Sequence, residues 1–379
     1  MAKINVSFRK ILRKTRWPWV KLSLYIKKKL GWLGVPVILP YIGFSNDQEI
    51  FLSGSVIEDR SLSKPKEGQG IWQNIVSMFR RYAGDEFAGV GVRVVFEDQT
   101  TIVETNEEGY FSCTLKLPDK FKNFTGWEQA YFYLEPPFGG DTEKKGVAGE
   151  VLIVALMPRF LIISDVDDTF LVSHSTQTFR KMRLLLFKNA LTRLPFPGVA
   201  AFYRALQKGV EQSYLNPIFY VSSSELNLYD LLIDFVKFRN IPKGPFLLRE
   251  MQTSFRKLIA AGGGDHMHKL HKISFLLNKF PDIPAILIGD SGQRDPEIYT
   301  EVVKTFRGRI NAIYIRSIGK QKKRQRTEDL AANLAGMGVN MLLVEHTYDA
   351  ALHAVSKGYM GKEYLDDIQR ERSKDEPET

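Results

Sequence analysis

The chain has 379 residues, 44% hydrophobic and 12% aromatic, enough to bury a large core and to form two domains rather than one. A single cysteine, Cys113, excludes an intrachain disulfide, and no run of about 18 apolar residues offers a transmembrane helix. The net charge of +10 is local: residues 1–46 hold ten Lys or Arg and no acid, leaving 43 basic and 43 acidic residues in the remainder.

Residues 1–34 are a basic aromatic arm in which Pro18 interrupts any single helix through "FRKILRKTRWPWVKLSLYIKKKL". The apolar stretch "GWLGVPVILPYIGF" is 14 residues long and holds two prolines. It lacks a small-residue cleavage site, so a signal peptide is not expected. Trp17, Trp19 and Trp32, with Leu22, Leu24 and Ile26, suit a lipid headgroup layer. Each Lys or Arg near an anionic surface adds about 1 kcal/mol. An anionic membrane surface is therefore the expected partner of the arm, with a merely disordered arm as the alternative. No nucleic-acid module accompanies it, and nucleic acid is not expected.

Residues 35–157 read as strands and turns. "EIFLSGSVIED", "GVGVRVVFEDQ", "GYFSCTLKLP" and "AYFYLEP" alternate or cluster β-branched and aromatic residues between turn formers. A helix is possible near Ile71–Tyr82, and "ETNEEGYF" reads as a turn between paired strands. The expectation is a small all-β sandwich-like domain.

From residue 158 to 360 strands alternate with helices. "RFLIIS", "PIFYVSS", "GPFLLRE", "AILIGDS" and "INAIYIRS" are strands; "PGVAAFYRALQKGVEQ", "ELNLYDLLIDFVKFRN", "HKLHKISFLLNKF" and "DPEIYTEVVKTF" are helices. Continuous apolar strands between helices imply an α/β fold, a Rossmann-like parallel sheet with helices on both faces. Residues 361–379 form a charged tail, and "KQKKRQR" and the terminal "KDEPET" read as solvated.

In an open parallel sheet ligands bind beyond the carboxyl ends of the strands. After "FLIIS" stand Asp165, Asp167 and Thr169; after "IFYV" stand Ser222, Ser223 and Ser224; after "AILIG" stand Asp290, Ser291 and Asp295. Lys269 lies near the start of an intervening helix, and spacing alone does not separate it from Lys272. Of the serines, Ser222 is nearest the strand end, while Ser224 suits a helix N-cap. Asp295, before Pro296, suits either a cap or a ligand. Carboxylates this close repel and raise one another's pKa unless a cation lies among them, and hard oxygens suit Mg²⁺.

"SDVDDT", "YVSSSELNLYDLL", "HKL" and "LIGDSGQRDPEIY", in this order, resemble the actin-patch-protein type phosphatidate phosphatases of the haloacid dehalogenase superfamily. The resemblance spans roughly residues 41–357, with Glu225 where these proteins often carry proline; the basic arm lies outside it. It implies a haloacid dehalogenase-like catalytic domain and hydrolysis of phosphatidate to diacylglycerol and phosphate. Asp165 would be the nucleophile and Asp167 the general acid and base. Asp165, the Asp167 carbonyl and Asp290 would hold Mg²⁺, with Asp295 beside it. Ser222 and Lys269 would bind the phosphoryl group. The residues also allow a phosphatase for a soluble phosphomonoester or a phosphoprotein, or a lipid-binding scaffold. A cytoplasmic chain in peripheral contact with the inner membrane surface is expected, of open oligomeric state. The mixed basic and apolar stretch 171–197 is where the superfamily places its cap, and "IAAGGGDHMHK" reads as a mobile entry to Lys269.

Overall fold

A computed structural model describes residues 34–59, 87–136, 146–154, 158–166, 198–210, 215–249, 265–292, 294–318 and 321–375. The basic arm before residue 34, the helix expected at Ile71–Tyr82, the stretch 171–197 and most of "IAAGGGDHMHK" lie outside them, as do Asp167 and Thr169. Two compact units are present. One comprises residues 1–45, 49–117 and 127–152, and the other comprises the rest. No helix among the described residues is long and apolar enough to cross a membrane.

The first unit is built from β1 (Val35–Pro40), β2 (Gly43–Ser45), β3 (Glu49–Asp59), β4 (Gly91–Phe96), β5 (Gln99–Glu104), β6 (Tyr110–Lys116), β7 (Thr125–Leu134) and β8 (Val147–Val154). They join in one hydrogen-bonded sheet of order β1-β3-β2-β8-β7-β4-β5, with β6 added on β3. Alternation in β4 buries Val92, Val94 and Phe96 while their neighbours stay part-exposed, as a strand with one covered face requires. Phe111 and Phe132 meet in the core with ring centroids 5.7 Å apart. The turn at "ETNEEGYF" forms: Asn106 Oδ1 accepts from the Glu108 and Tyr110 amides, and Gly109 takes φ 66°. Its flanking strands do not pair with each other, contrary to expectation; β5 pairs with β4 and β6 with β3. The buried Thr105 diverts the chain there. Its hydroxyl donates to Phe87 O (2.6 Å) and accepts from Val90 N (2.9 Å), so the end of β5 is tied to the entry of β4 instead.

The second unit alternates β9 (Leu161–Asp165), α1 (Val199–Lys208), β10 (Ile218–Glu225), α2 (Tyr229–Phe238), β11 (Phe246–Arg249), α3 (Asp265–Lys279), β12 (Ala285–Asp290), α4 (Asp295–Thr305), β13 (Ile310–Arg316), α5 (Gln321–Ala335), β14 (Asn340–Val344), α6 (Thr347–Ser356) and α7 (Leu365–Asp375). The six strands pair in parallel in the order β11-β10-β9-β12-β13-β14. Phe160 to Ile163, Ile218 to Val221 and Ala285 to Leu287 are all buried, which requires cover on both faces. The series continues past "INAIYIRS", where the sequence reading ended it, through α5, β14 and α6. Residues 321–326 of "KQKKRQR" open α5, with Gln321 and Lys323 to Arg326 exposed.

Three boundaries differ from the sequence reading. Helix α1 stops at Lys208 because Gly209 takes φ 68°. Helix α2 begins at Tyr229, since β10 runs on to Glu225 and a 3₁₀ turn, Leu226–Leu228, intervenes; its N-cap is Leu228, so Ser224 does not cap it. The segment read as a charged tail contains α7, whose Ile368 is fully buried. Glu371 on α7 accepts a hydrogen bond from Ala201 N (2.8 Å) and pairs with Arg204, both on α1.

Candidate active site

The order of the second unit places β9 in the middle, with the chain moving to β10 on one side and later to β12 on the other. The crevice beyond such a reversal is where an open sheet binds ligands. Register fixes what arrives there. Asp165 ends β9 opposite Val221, so Ser222 lies one residue further along β10. On the other side the β9–β12 pairing ends at Ser164 opposite Ile288, so Asp290 lies just past it at the end of β12.

Ligand oxygens of Asp165, Asp290 and Asp295 all lie within 4.8 Å of one another. Lys269 enters this group from α3. Its ammonium is 2.8 Å from Asp165 Oδ1 and donates to Asp295 Oδ1 at 2.6 Å, with side-chain exposures of 2%, 3% and 0% for Lys269, Asp165 and Asp295. Asp295 Oδ2 accepts from Asp290 N at 3.1 Å, and Asp290 Oδ1 accepts from Gly292 N at 2.6 Å. Burial pushes the Asp295 carboxyl up, against the pull of the Lys269 ammonium. Burying such charges is tolerated only with partners of this kind. Three hard carboxylates converging at this range also fit a hard divalent cation such as Mg²⁺.

The two lysines separate by contact, not by burial. Lys269 and Lys272 head a buried stripe on α3 that continues through Ile273, Leu276 and Leu277. Lys272 Nζ donates to the Ser222 carbonyl, whereas Lys269 meets the carboxylates. Ser222 itself is fully buried. Asp295 does not cap α4. The N-cap is Arg294 and carries no side-chain cap bond, and Asp295 turns back to the end of β12. The structure thus brings together Asp165, Lys269, Asp290 and Asp295, with Ser222 on the neighbouring strand. Asp167 lies outside the described residues.

Two features had been missed in the sequence. Gly289 lets α4 approach: a Cβ there would lie 2.3 Å from Asp295 Oδ2 and 2.8 Å from the Tyr299 hydroxyl. A glycine one residue before a strand-end aspartate is the only trace of this in the sequence. Behind Asp165, Ser164 Oγ and the Tyr203 hydroxyl of α1 are 2.7 Å apart, and Ser164 Oγ donates to Asp165 O at 3.0 Å. No motif spacing links those two residues.

Residues 160–317 match the family described as phosphatidate phosphatase APP1, catalytic domain. Over 155 residues the chain is 32% identical to phosphatidate phosphatase APP1 of Saccharomyces cerevisiae, covering 41% of this chain and 25% of that protein. An uncharacterized protein of Schizosaccharomyces pombe is 26% identical over 282 residues, which cover 73% of this chain and 42% of that one. The chain therefore spans a quarter to less than half the length of these curated relatives. Among solved structures, a carbohydrate acetylesterase from Xanthomonas citri covers 78% of this chain and 74% of its own at 11% identity; its TM-score of 0.24 carries no argument. The resemblance read from the four motifs is borne out for the matched segment. Residues 160–317 are similar to the catalytic domain of the APP1-type phosphatidate phosphatases.

Proposed function

We propose that the α/β unit is a Mg²⁺-dependent phosphatidate phosphatase of haloacid dehalogenase-like architecture, releasing diacylglycerol and phosphate through an aspartyl phosphate. One observation carries this reading: Asp165, Asp290 and Asp295 converge around Lys269 at the carboxyl edge of the sheet, inside the segment that matches the family's catalytic domain. The Lys269 ammonium, 2.8 Å from Asp165 Oδ1, places a positive charge beside the carboxylate that would act as nucleophile. Its carboxylate oxygen attacks phosphorus and the bond to the diacylglycerol oxygen breaks. Asp167, in the role the family resemblance gives it, protonates that oxygen and then takes a proton from the water that cleaves the aspartyl phosphate. The Lys269 ammonium offsets charge on the transferring group, and Ser222 donates to one of its oxygens. Mg²⁺ held by Asp165, the Asp167 carbonyl and Asp290, with Asp295 beside it, would supply further charge stabilisation there. A sandwich-like closure of the β unit belongs to the same reading, and the buried aromatic face of its sheet supports it.

Phosphate release from phosphatidate in detergent micelles tests the assignment, with Mg²⁺ or EDTA, for the wild type and Asp165→Asn. We expect Mg²⁺-dependent turnover that falls at least about 10³-fold in the variant, as for other lost nucleophiles. Turnover of soluble phosphate esters alone, still through Asp165, would leave the chemistry and remove the lipid. The basic arm and its tryptophans support peripheral contact with an anionic, inner membrane surface by a cytoplasmic chain. Flotation with anionic liposomes should therefore recover the full chain and lose a chain starting at Val35; equal recovery of both contradicts this.

A further inference from the structure

We infer that Tyr203 and Ser164 are positioning residues for the nucleophile, acting through the main chain of Asp165; this rests on the phosphatase reading above. Both are buried, so each hydroxyl needs a partner. Ser164 has one hydroxyl proton and gives it to Asp165 O, at 3.0 Å. The 2.7 Å contact with Tyr203 must then run from the tyrosine hydroxyl to Ser164 Oγ, because a serine has no second proton to give. The result is a directed relay from α1: Tyr203 O–H to Ser164 Oγ, and Ser164 O–H to the Asp165 carbonyl.

The relay stands where strand pairing gives out. Pairing of β9 with β12 ends at Ser164 and Ile288. Asp290 N, the next amide on that side, donates to Asp295 Oδ2. On the other side Val166 N donates to Val221 O at 3.3 Å. The peptide leaving Asp165 is thus held by a thin ladder on one flank and by the Ser164 hydroxyl at its carbonyl. That peptide sets the direction in which the Asp165 side chain leaves the strand and meets Lys269, 2.8 Å away. A packed second layer of this kind is what fixes a reacting atom to within a fraction of an ångström.

The test compares Tyr203→Phe, Ser164→Ala and Ser164→Thr with the wild type, on phosphatidate micelles and on p-nitrophenyl phosphate, at a temperature where each is fully folded by circular dichroism. Misplacing a nucleophile costs the chemical step irrespective of the alcohol leaving. Tyr203→Phe and Ser164→Ala should lower kcat about tenfold on every ester the wild type hydrolyses, with KM within about twofold. Ser164→Thr, which keeps the hydroxyl, should recover most of the loss. Wild-type kcat in both hydroxyl-deletion variants, or a loss that Ser164→Thr fails to recover, overturns the inference. A crystal structure of Tyr203→Phe reads positioning without turnover. The Asp165–Lys269 contact should lengthen beyond ion-pair range, and an unchanged contact counts against the relay. If the wild type hydrolyses neither ester, the phosphatase reading fails and this contact alone decides whether the relay positions Asp165.

Discussion

At the scale of the residue, Gly289 shows how little room the site leaves. A methyl group there would press on Asp295 Oδ2 at 2.3 Å, so Gly289→Ala must push Asp295 off the Asp290 amide or α4 off β12. Overpacking of this kind costs about 1–3 kcal/mol, which a lowered urea midpoint would register. Phosphatase activity should fall further than the folded fraction does; a variant matching the wild type in both would refute the close approach. The same scale shows what one-dimensional reading resolves. Asp165, Asp290 and Asp295 were legible because each follows an apolar strand, and a strand end is a place. Lys269 and Lys272 were not separable. Three residues apart, they share one face of α3, and only the partner each meets distinguishes them. Ser164 and Tyr203 left no signal, because their contact depends on how α1 packs on the sheet, 39 residues away in sequence.

At the scale of the element, α7 is the instructive case. "LDDIQRERSKD" is strongly polar, with Leu365 and Ile368 its only apolar residues, and it falls in the segment read as a charged tail. Its contribution is not hydrophobic area alone. The N-cap of α1 is Gly198, which has no side chain to satisfy the first amides, and Glu371 accepts from Ala201 N in place of a local cap. Loss of a cap costs about 1 kcal/mol. Glu371→Ala should lower the unfolding free energy by about that amount in urea titrations, and Glu371→Gln by less; an unchanged midpoint for Glu371→Ala would show the contact to be idle. Strand β14 escaped the reading for a related reason. "MLLV" is an apolar run as long as "AILI" of β12, but as an edge strand β14 fully buries only Met341 and Val344 of it, and it follows the strongly polar α5.

At the scale of the whole molecule, burial of tyrosines sets the response to alkali. Burial pushes Tyr203 up to about 12, and Tyr220 and Tyr299 well above their ordinary value. In the unfolded chain a tyrosine ionises near pH 10, so above that pH the unfolded state gives up protons that the folded state keeps. The stability these groups contribute is complete below pH 10 and is lost as pH rises from 10 towards 12. Each such tyrosine removes about 1.4 kcal/mol per pH unit in that window. Urea midpoints at pH 7, 8.5 and 11 should be nearly flat across the first interval and fall across the second; equal midpoints at all three would contradict it.

The trans-capping of α1 by Glu371 also has a temporal meaning. Synthesis delivers β9 roughly two hundred residues before α7. Throughout that interval the amide of Ala201 lacks its acceptor, and α1, which carries Tyr203 to Ser164, is without its final brace. The charged cluster itself waits on α3 and β12. A growing chain therefore holds Asp165 long before α7 is present to cap the helix that carries Tyr203 to Ser164.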